Sequence, residues 1–197
     1  VYYPMTWLVL VTSPATALVV SIFSHCVLGG IFAALFFRSL GIGWYASGLG
    51  GGLFVFACML GQSYWPPEVS TICWMPFLFW AAEGYCRGGG LGWWLALAAG
   101  TALQALAGFP QFVVYTWYLL APFILLRCWY WRREHGIGWR RAARRFGLMT
   151  LAGVLAMGLS AAQWLPTLEL VRHSPRDRSL SPEAVSYTHL TLPTNRE

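Results

Sequence analysis

Apolar positions in this chain come in long runs, separated by short breaks rich in Pro, Gly or Arg. A bilayer core about 30 Å thick takes about 20 apolar residues per helix. Six stretches meet that length: residues 15–37, 42–61, 69–86, 91–107, 111–131 and 146–165. The pattern predicts an all-α, polytopic transmembrane helical bundle of about six spans. Ser13-Pro14 opens the first span and Arg38 closes it; Trp65-Pro66-Pro67 makes the turn before the third. Gly108-Phe109-Pro110 joins the fourth to the fifth, and Pro166 ends the sixth. Residues 1–14 are apolar but too short to cross, which predicts an interfacial or re-entrant segment. Gly48 and Gly52 form a G-x-x-x-G spacing that lets another helix approach closely.

Composition strengthens this picture. Hydrophobic residues make up 57% of the chain and charged residues only 10%, against about 25% charged in soluble domains. The 12 Trp suit a protein that crosses two membrane interfaces. A net charge of +6 raises the question of nucleic acid. The arginines, however, flank apolar runs instead of forming one basic face, so they read as topology signals. Cys26, Cys58, Cys73, Cys86 and Cys128 sit in or beside apolar stretches with no C-x-x-C pair. They read as small hydrophobes, not as disulfide or zinc ligands.

The arginines also predict orientation. Alternate loops collect Arg38, Arg87, Arg132, Arg133, Arg140, Arg141, Arg144 and Arg145, with Arg127 close enough to snorkel. The opposite short loops, at 62–68 and 108–111, hold no Arg. Cytoplasmic loops carry the positive excess, so the basic loop 132–145 is expected on the cytoplasmic side of a bacterial inner membrane. Residues 166–184 are then extracytoplasmic. The chain begins at Val1 without Met, so an upstream part is expected. Residues 185–197 resemble a translated sequencing adapter and carry no functional expectation.

With that topology, Gln62, Gln104, Gln111 and Gln163 fall near the outer helix ends, and Glu68 and Glu169 lie outside. Each amide alone reads as a cap or a helix–helix contact. As a set, they point to a wet cavity opening outward. His25, deep in the first span, reads as hydrogen-bonded helix glue. Glu83 lies four residues before Arg87, which predicts a local ion pair. Arg172, His173, Arg176 and Asp177 follow the last span and can serve either as a phosphate site or as solvated charges. His135 reads as a surface residue. No P-loop, H-E-x-x-H, G-x-S-x-G or GxGxxG motif is present.

Three stretches add a family resemblance. They are Trp65-Pro66-Pro67-Glu68 with Cys73-Trp74-Met75-Pro76; Ala107-Gly108-Phe109-Pro110-Gln111; and Ser160-Ala161-Ala162-Gln163-Trp164-Leu165-Pro166-Thr167-Leu168-Glu169-Leu170, followed by Ser174 and Arg176. In this order they resemble the bacterial YfhO-like membrane proteins, relatives of the GT-C glycosyltransferases. The resemblance implies a GT-C-like transferase that passes a sugar from a polyprenyl-phosphate donor to a cell-envelope acceptor outside the membrane. Its catalytic acid would lie in a loop upstream of Val1. Phe109 stands where the family often has His, which removes a polar role from that turn. The implied substrate pocket uses Gln111, Gln163, Glu169 and Arg176: amides and acid for sugar hydroxyls, Arg for phosphate. No cofactor is identified from the sequence, and a divalent metal is compatible with a full-length enzyme. Membrane lipids, the lipid-linked donor and an envelope polymer or glycolipid are the expected partners, and nucleic acid is not. The alternatives are a transporter or flippase of a lipid-linked precursor, and a non-catalytic membrane scaffold.

Overall fold

The computed structural model describes residues 2–136 and 138–173. Their architecture is all-helical. A 3₁₀ segment, Pro4–Leu10, precedes α1 (Pro14–Ser39). Next come α2 (Trp44–Phe54), α3 (Pro66–Ile72), α4 (Trp74–Cys86), α5 (Leu91–Leu106), α6 (Pro110–Glu134), α7 (Trp139–Leu159) and α8 (Ala161–Arg172). Ser13 caps α1 by accepting from the Thr16 N–H at 3.2 Å, and Pro14 at the first helical position already has the φ a helix needs.

Four helical stretches are long and apolar enough to cross a membrane: Pro14–Ser39, Trp44–Gln62, Pro110–Glu134 and Trp139–Leu159. The sequence reading of about six spans differs at two places, each with a local cause. The stretch 69–86 is not one helix, because it breaks at Cys73 between α3 and α4. Pro76 explains the break: it has no N–H to give the Ile72 carbonyl, and its ring crowds that same group. At 16 residues, α5 is about 24 Å long, short of a bilayer core at 1.5 Å per residue.

Helix ends also move. The last span expected over 146–165 is instead α7, which begins at Trp139 and ends at Leu159. Ser160 interrupts it, with its hydroxyl donating to the Ala156 carbonyl at 2.8 Å. Pro166 lies inside α8 and does not end a helix. Between α6 and α7 only residues 135–138 lie outside the helices, so the arginines expected in a basic loop occupy helix ends.

Residues Val1–Gln163 form one compact unit and Trp164–Glu197 a second. Within the first, α1 packs on α2 and α4, α4 also packs on α5 and α6, and α7 packs on α5 and α6. One apolar core joins Leu78, Ala82, Leu97, Leu120, Ile124 and Met149 across α4 to α7. Another joins Cys26, Met59, Val69, Ile72 and Cys73. Small residues set the closest approaches. A Cβ on Gly51 would lie 2.4 Å from the Gly30 carbonyl oxygen, so α1 and α2 touch backbone to backbone there. The G-x-x-x-G pair behaves differently: Gly48 and Gly52 have open space where a Cβ would go. Past Phe54 the chain makes a π-helical turn, Val55–Met59, which brings the Met59 sulfur against Gly29.

Outward faces are apolar. Leu18, Val19, Phe23, Val27 and Ile31 on α1, and Tyr118, Leu119, Leu125 and Leu126 on α6, are all exposed. A bundle with large hydrophobic side chains on its outward faces is built to stand in lipid.

Candidate functional site

Ring contacts fix how the helices run. Phe32 of α1 meets Phe77 of α4 and Phe36 meets Phe79, while Phe79 meets Phe123 of α6 and Glu83 bonds Arg127. In each pair the two numbers rise together, so α1, α4 and α6 run parallel, and the bundle has an arginine-rich end and an arginine-poor end. At the poor end a cavity of about 230 Å³ opens among the 3₁₀ segment, α1, α3 and the end of α5. Tyr3, Thr6, Ser21, Pro66, Ser70 and Ala107 are among its lining residues.

Behind this cavity lies a buried hydrogen-bond chain. Trp74 Nε1–H donates to Tyr3 Oη at 3.0 Å, and Tyr3 Oη lies 2.5 Å from His25 Nε2. On the far side of the ring, His25 Nδ1 lies 2.6 Å from the Ser21 carbonyl oxygen. A carbonyl only accepts, so Nδ1 carries the imidazole proton and Nε2 accepts from the phenol. The relay therefore runs Trp74 to Tyr3 to His25 to Ser21, with every donor used. Burial pushes the Tyr3 phenol well above its ordinary range, so it stays a neutral donor. His25 is helix glue, as its position in the sequence suggested, and it binds the 3₁₀ segment to α1 and, through Tyr3, to α4.

Gln104 is also buried here. Its Nε2 donates to the Thr71 carbonyl at 3.2 Å and to Thr116 Oγ1 at 2.8 Å. Thr116 donates its own proton to the Phe112 carbonyl at 2.7 Å, so both acceptors face the amide nitrogen and its orientation is fixed. The Gln104 Oε1 meets no donor among the described residues.

The residues expected to line a pocket are placed separately. Gln111 is exposed on the first turn of α6, and its amide donates to Tyr115 Oη at 2.5 Å. Gln163 is half-buried in the first turn of α8, where its backbone N–H donates to the Ser160 carbonyl at 2.9 Å. Neither lines the cavity. Glu169 is exposed in the second unit, and Arg176 lies outside the described residues. Sequence reasoning missed Tyr3, Trp74, Thr71 and Thr116. A signal existed for the first two, since a His deep in a span needs a partner on each ring nitrogen. Phe109 packs on Phe112 with ring centroids 5.5 Å apart.

No protein-family model, curated protein or solved structure matches the chain.

At the arginine-rich end Glu83 is fully buried. It accepts from Arg87 Nε at 2.8 Å, which is the expected pair one turn on. It also accepts from Arg127 Nε at 2.6 Å and again from Arg127 Nη2. Arg127 thus does not snorkel; it turns into the bundle and forks onto the carboxylate. Arg145 donates to the Cys86 carbonyl at 2.9 Å and lies 4.0 Å over the Trp131 ring. Both carboxylate oxygens of Glu83 are thus engaged. Among the described residues no three His, Cys, Asp or Glu side chains gather as a metal site, so a divalent ion gains no ligand set from them.

Proposed function

We propose that this chain is part of a membrane-embedded transferase handling a polyprenyl-phosphate-linked sugar at the arginine-poor end of its bundle. The reading rests on the cavity lined by Tyr3, Thr6, Ser21 and Ser70 at that end. The motif series that resembles the YfhO-like proteins, with its GT-C relatives, supports it. A lipid-linked donor keeps its tail in the bilayer and presents its phosphate and sugar at headgroup level. A cavity edged by hydroxyl-bearing residues at a helix-bundle end suits that geometry. The arginine excess at the opposite end favours a cytoplasmic location for that end and an outward one for the cavity. The proposed setting is a bacterial inner membrane. Gln111, Gln163, Glu169 and Arg176 remain proposed as individual substrate contacts, apart from the cavity, whose lining does not include Gln111, Gln163 or Glu169.

The test is sugar transfer by the full-length protein from a labelled polyprenyl-phosphate donor. Loss of transfer in a Ser21→Ala plus Ser70→Ala variant, two residues of the cavity lining, supports the site. Unchanged transfer rejects it.

A second reading has its own observation. The break at Cys73, the π-helical turn Val55–Met59 and Pro122 inside α6 are interruptions of the kind found in carriers. Flipping of the donor lipid in proteoliposomes, without transfer, would favour a flippase.

A further inference from the structure

A second feature, independent of the transferase reading, lies at the arginine-rich end. Between α6 and α7 an apolar groove of about 570 Å³ opens on the outer surface, lined by Leu125, Leu126, Trp129, Trp139, Ala143 and Phe146 among others. Its chemistry changes in order along its length. Toward the middle of the bundle the walls are Leu125, Leu126 and Phe146. Toward the interhelix turn they become Trp129 and Trp139. One helical turn further, Arg132 and Arg133 follow Trp129 at i+3 and i+4, on the same face of α6.

Each guanidinium lies over a tryptophan of the groove wall. Arg133 lies 4.2 Å over the Trp129 ring and Arg132 lies 5.6 Å from the Trp139 ring, the latter a bridge from α6 to α7. Among the described residues neither has a carboxylate partner, since the ion pairs at this end join Glu83 to Arg87 and Arg127, and His135 to Glu134. Cation–π contact fixes a guanidinium by its face and leaves its N–H edge available. Glu134 is exposed and lies 4.0 Å from His135 Nδ1.

We infer that the α6–α7 groove is a selective site for an anionic diacyl phospholipid, with the acyl chain along Leu125, Leu126 and Phe146 and the phosphate under Arg132 and Arg133. A groove on the outside of membrane-spanning helices is supplied laterally by the bilayer, so its occupant is a lipid. Selection comes from charge. A zwitterionic headgroup brings an ammonium against two guanidiniums, whereas an anionic headgroup brings only the phosphodiester.

The experiment is native mass spectrometry of the purified chain in mild detergent, titrated with phosphatidylglycerol and phosphatidylcholine of matched acyl chains. Each guanidinium near an anionic headgroup is worth about fivefold in binding. The expected result is a preference for phosphatidylglycerol of at least that size, lost in Arg132→Ala plus Arg133→Ala. It should survive in Arg141→Ala plus Arg144→Ala, which helical spacing places away from the groove on α7. Equal binding of the two lipids, or an equal loss in the Arg141/Arg144 variant, overturns the assignment. Displacement of the bound lipid by excess inorganic phosphate does the same, because it would make the site a free-anion site. If the alanine pair fails to fold, Arg132→Gln plus Arg133→Gln keeps the stems packed on the tryptophans and reads the same loss.

Discussion

The two ends of the bundle solve the same problem with different chemistry. Each must bury polar groups where no bulk water reaches; the charged cluster joins two helices, α4 and α6, and the neutral one joins the segment before Pro4 to α1 and α4. At the arginine-rich end a fully buried Glu83 does this with charge, taking Arg87 from its own helix and Arg127 from α6. At the arginine-poor end Tyr3, His25 and Trp74 do it with neutral groups in a directional chain. A buried charge tolerates no missing partner, because an isolated ion in low dielectric is far more costly than an unpaired dipole. The charged end therefore has little freedom to change. The neutral end gives up less when a link opens, and it is the end with the cavity beside it. A rigid clamp opposite a polar, more adjustable end is an arrangement suited to binding at the second.

The comparison breaks most directly at Glu83. Replacing it by Ala leaves Arg127, whose side chain is only 23% exposed, without its counter-charge. A loss of about 3–5 kcal/mol is expected, read as a large fall in the thermal unfolding midpoint in detergent. Glu83→Gln should lose less, since it keeps one acceptor oxygen. A Glu83→Ala chain as stable as the parent would mean that the clamp is not a fixed feature of the fold.

Next in size is Tyr3→Phe. It removes one hydroxyl but strands two groups, the buried His25 Nε2 and the half-buried Trp74 Nε1–H. About 1–3 kcal/mol is expected. Hydrogen exchange should also rise in the 3₁₀ segment Pro4–Leu10, which this link fastens to the bundle. An equal rise across α6 and α7 would show instead that the neutral end is as global a constraint as the charged one.

These two sites also show what was readable in the sequence. Glu83 with Arg87 was legible because i, i+4 spacing on one helix is a local rule. Arg127 was not, since 44 residues separate it from Glu83 and only packing of α4 against α6 brings them together. His25 was legible as glue from its depth in an apolar run, but its partners lie on elements whose register no periodicity fixes. The helical class follows from run length alone, but run length counted about six spans where four helical stretches have membrane length. The break at Cys73 was carried by Pro76, a signal present in the sequence and outweighed there by continuous hydrophobicity. The expected pocket residues were grouped by leaflet, and a shared leaflet does not imply a shared cavity: Gln111 turned to Tyr115, and Gln104 was drawn inside.

Arg87→Ala sharpens the contrast within a single carboxylate. Arg87 and Arg127 both bond Glu83, yet the Arg87 side chain is 52% exposed against 23% for Arg127. Solvent screens the exposed partner, so its loss should cost at most about 1 kcal/mol. The Arg127→Ala variant should cost several times more. Equal effects would mean that exposure does not set the strength of the clamp.

The smallest effect is expected at Gln111→Ala. Its amide is exposed and bonds only the Tyr115 hydroxyl one turn along the same helix, a local pair of a kind worth about 0.2–0.5 kcal/mol. Stability should therefore stay within about 0.5 kcal/mol of the parent. That makes the position a clean functional probe: if sugar transfer by the full-length protein falls while the unfolding midpoint holds, the amide acts on substrate. If both stay unchanged, the Gln111 contact drops out of the proposed site, and the weight moves to the cavity beside Tyr3.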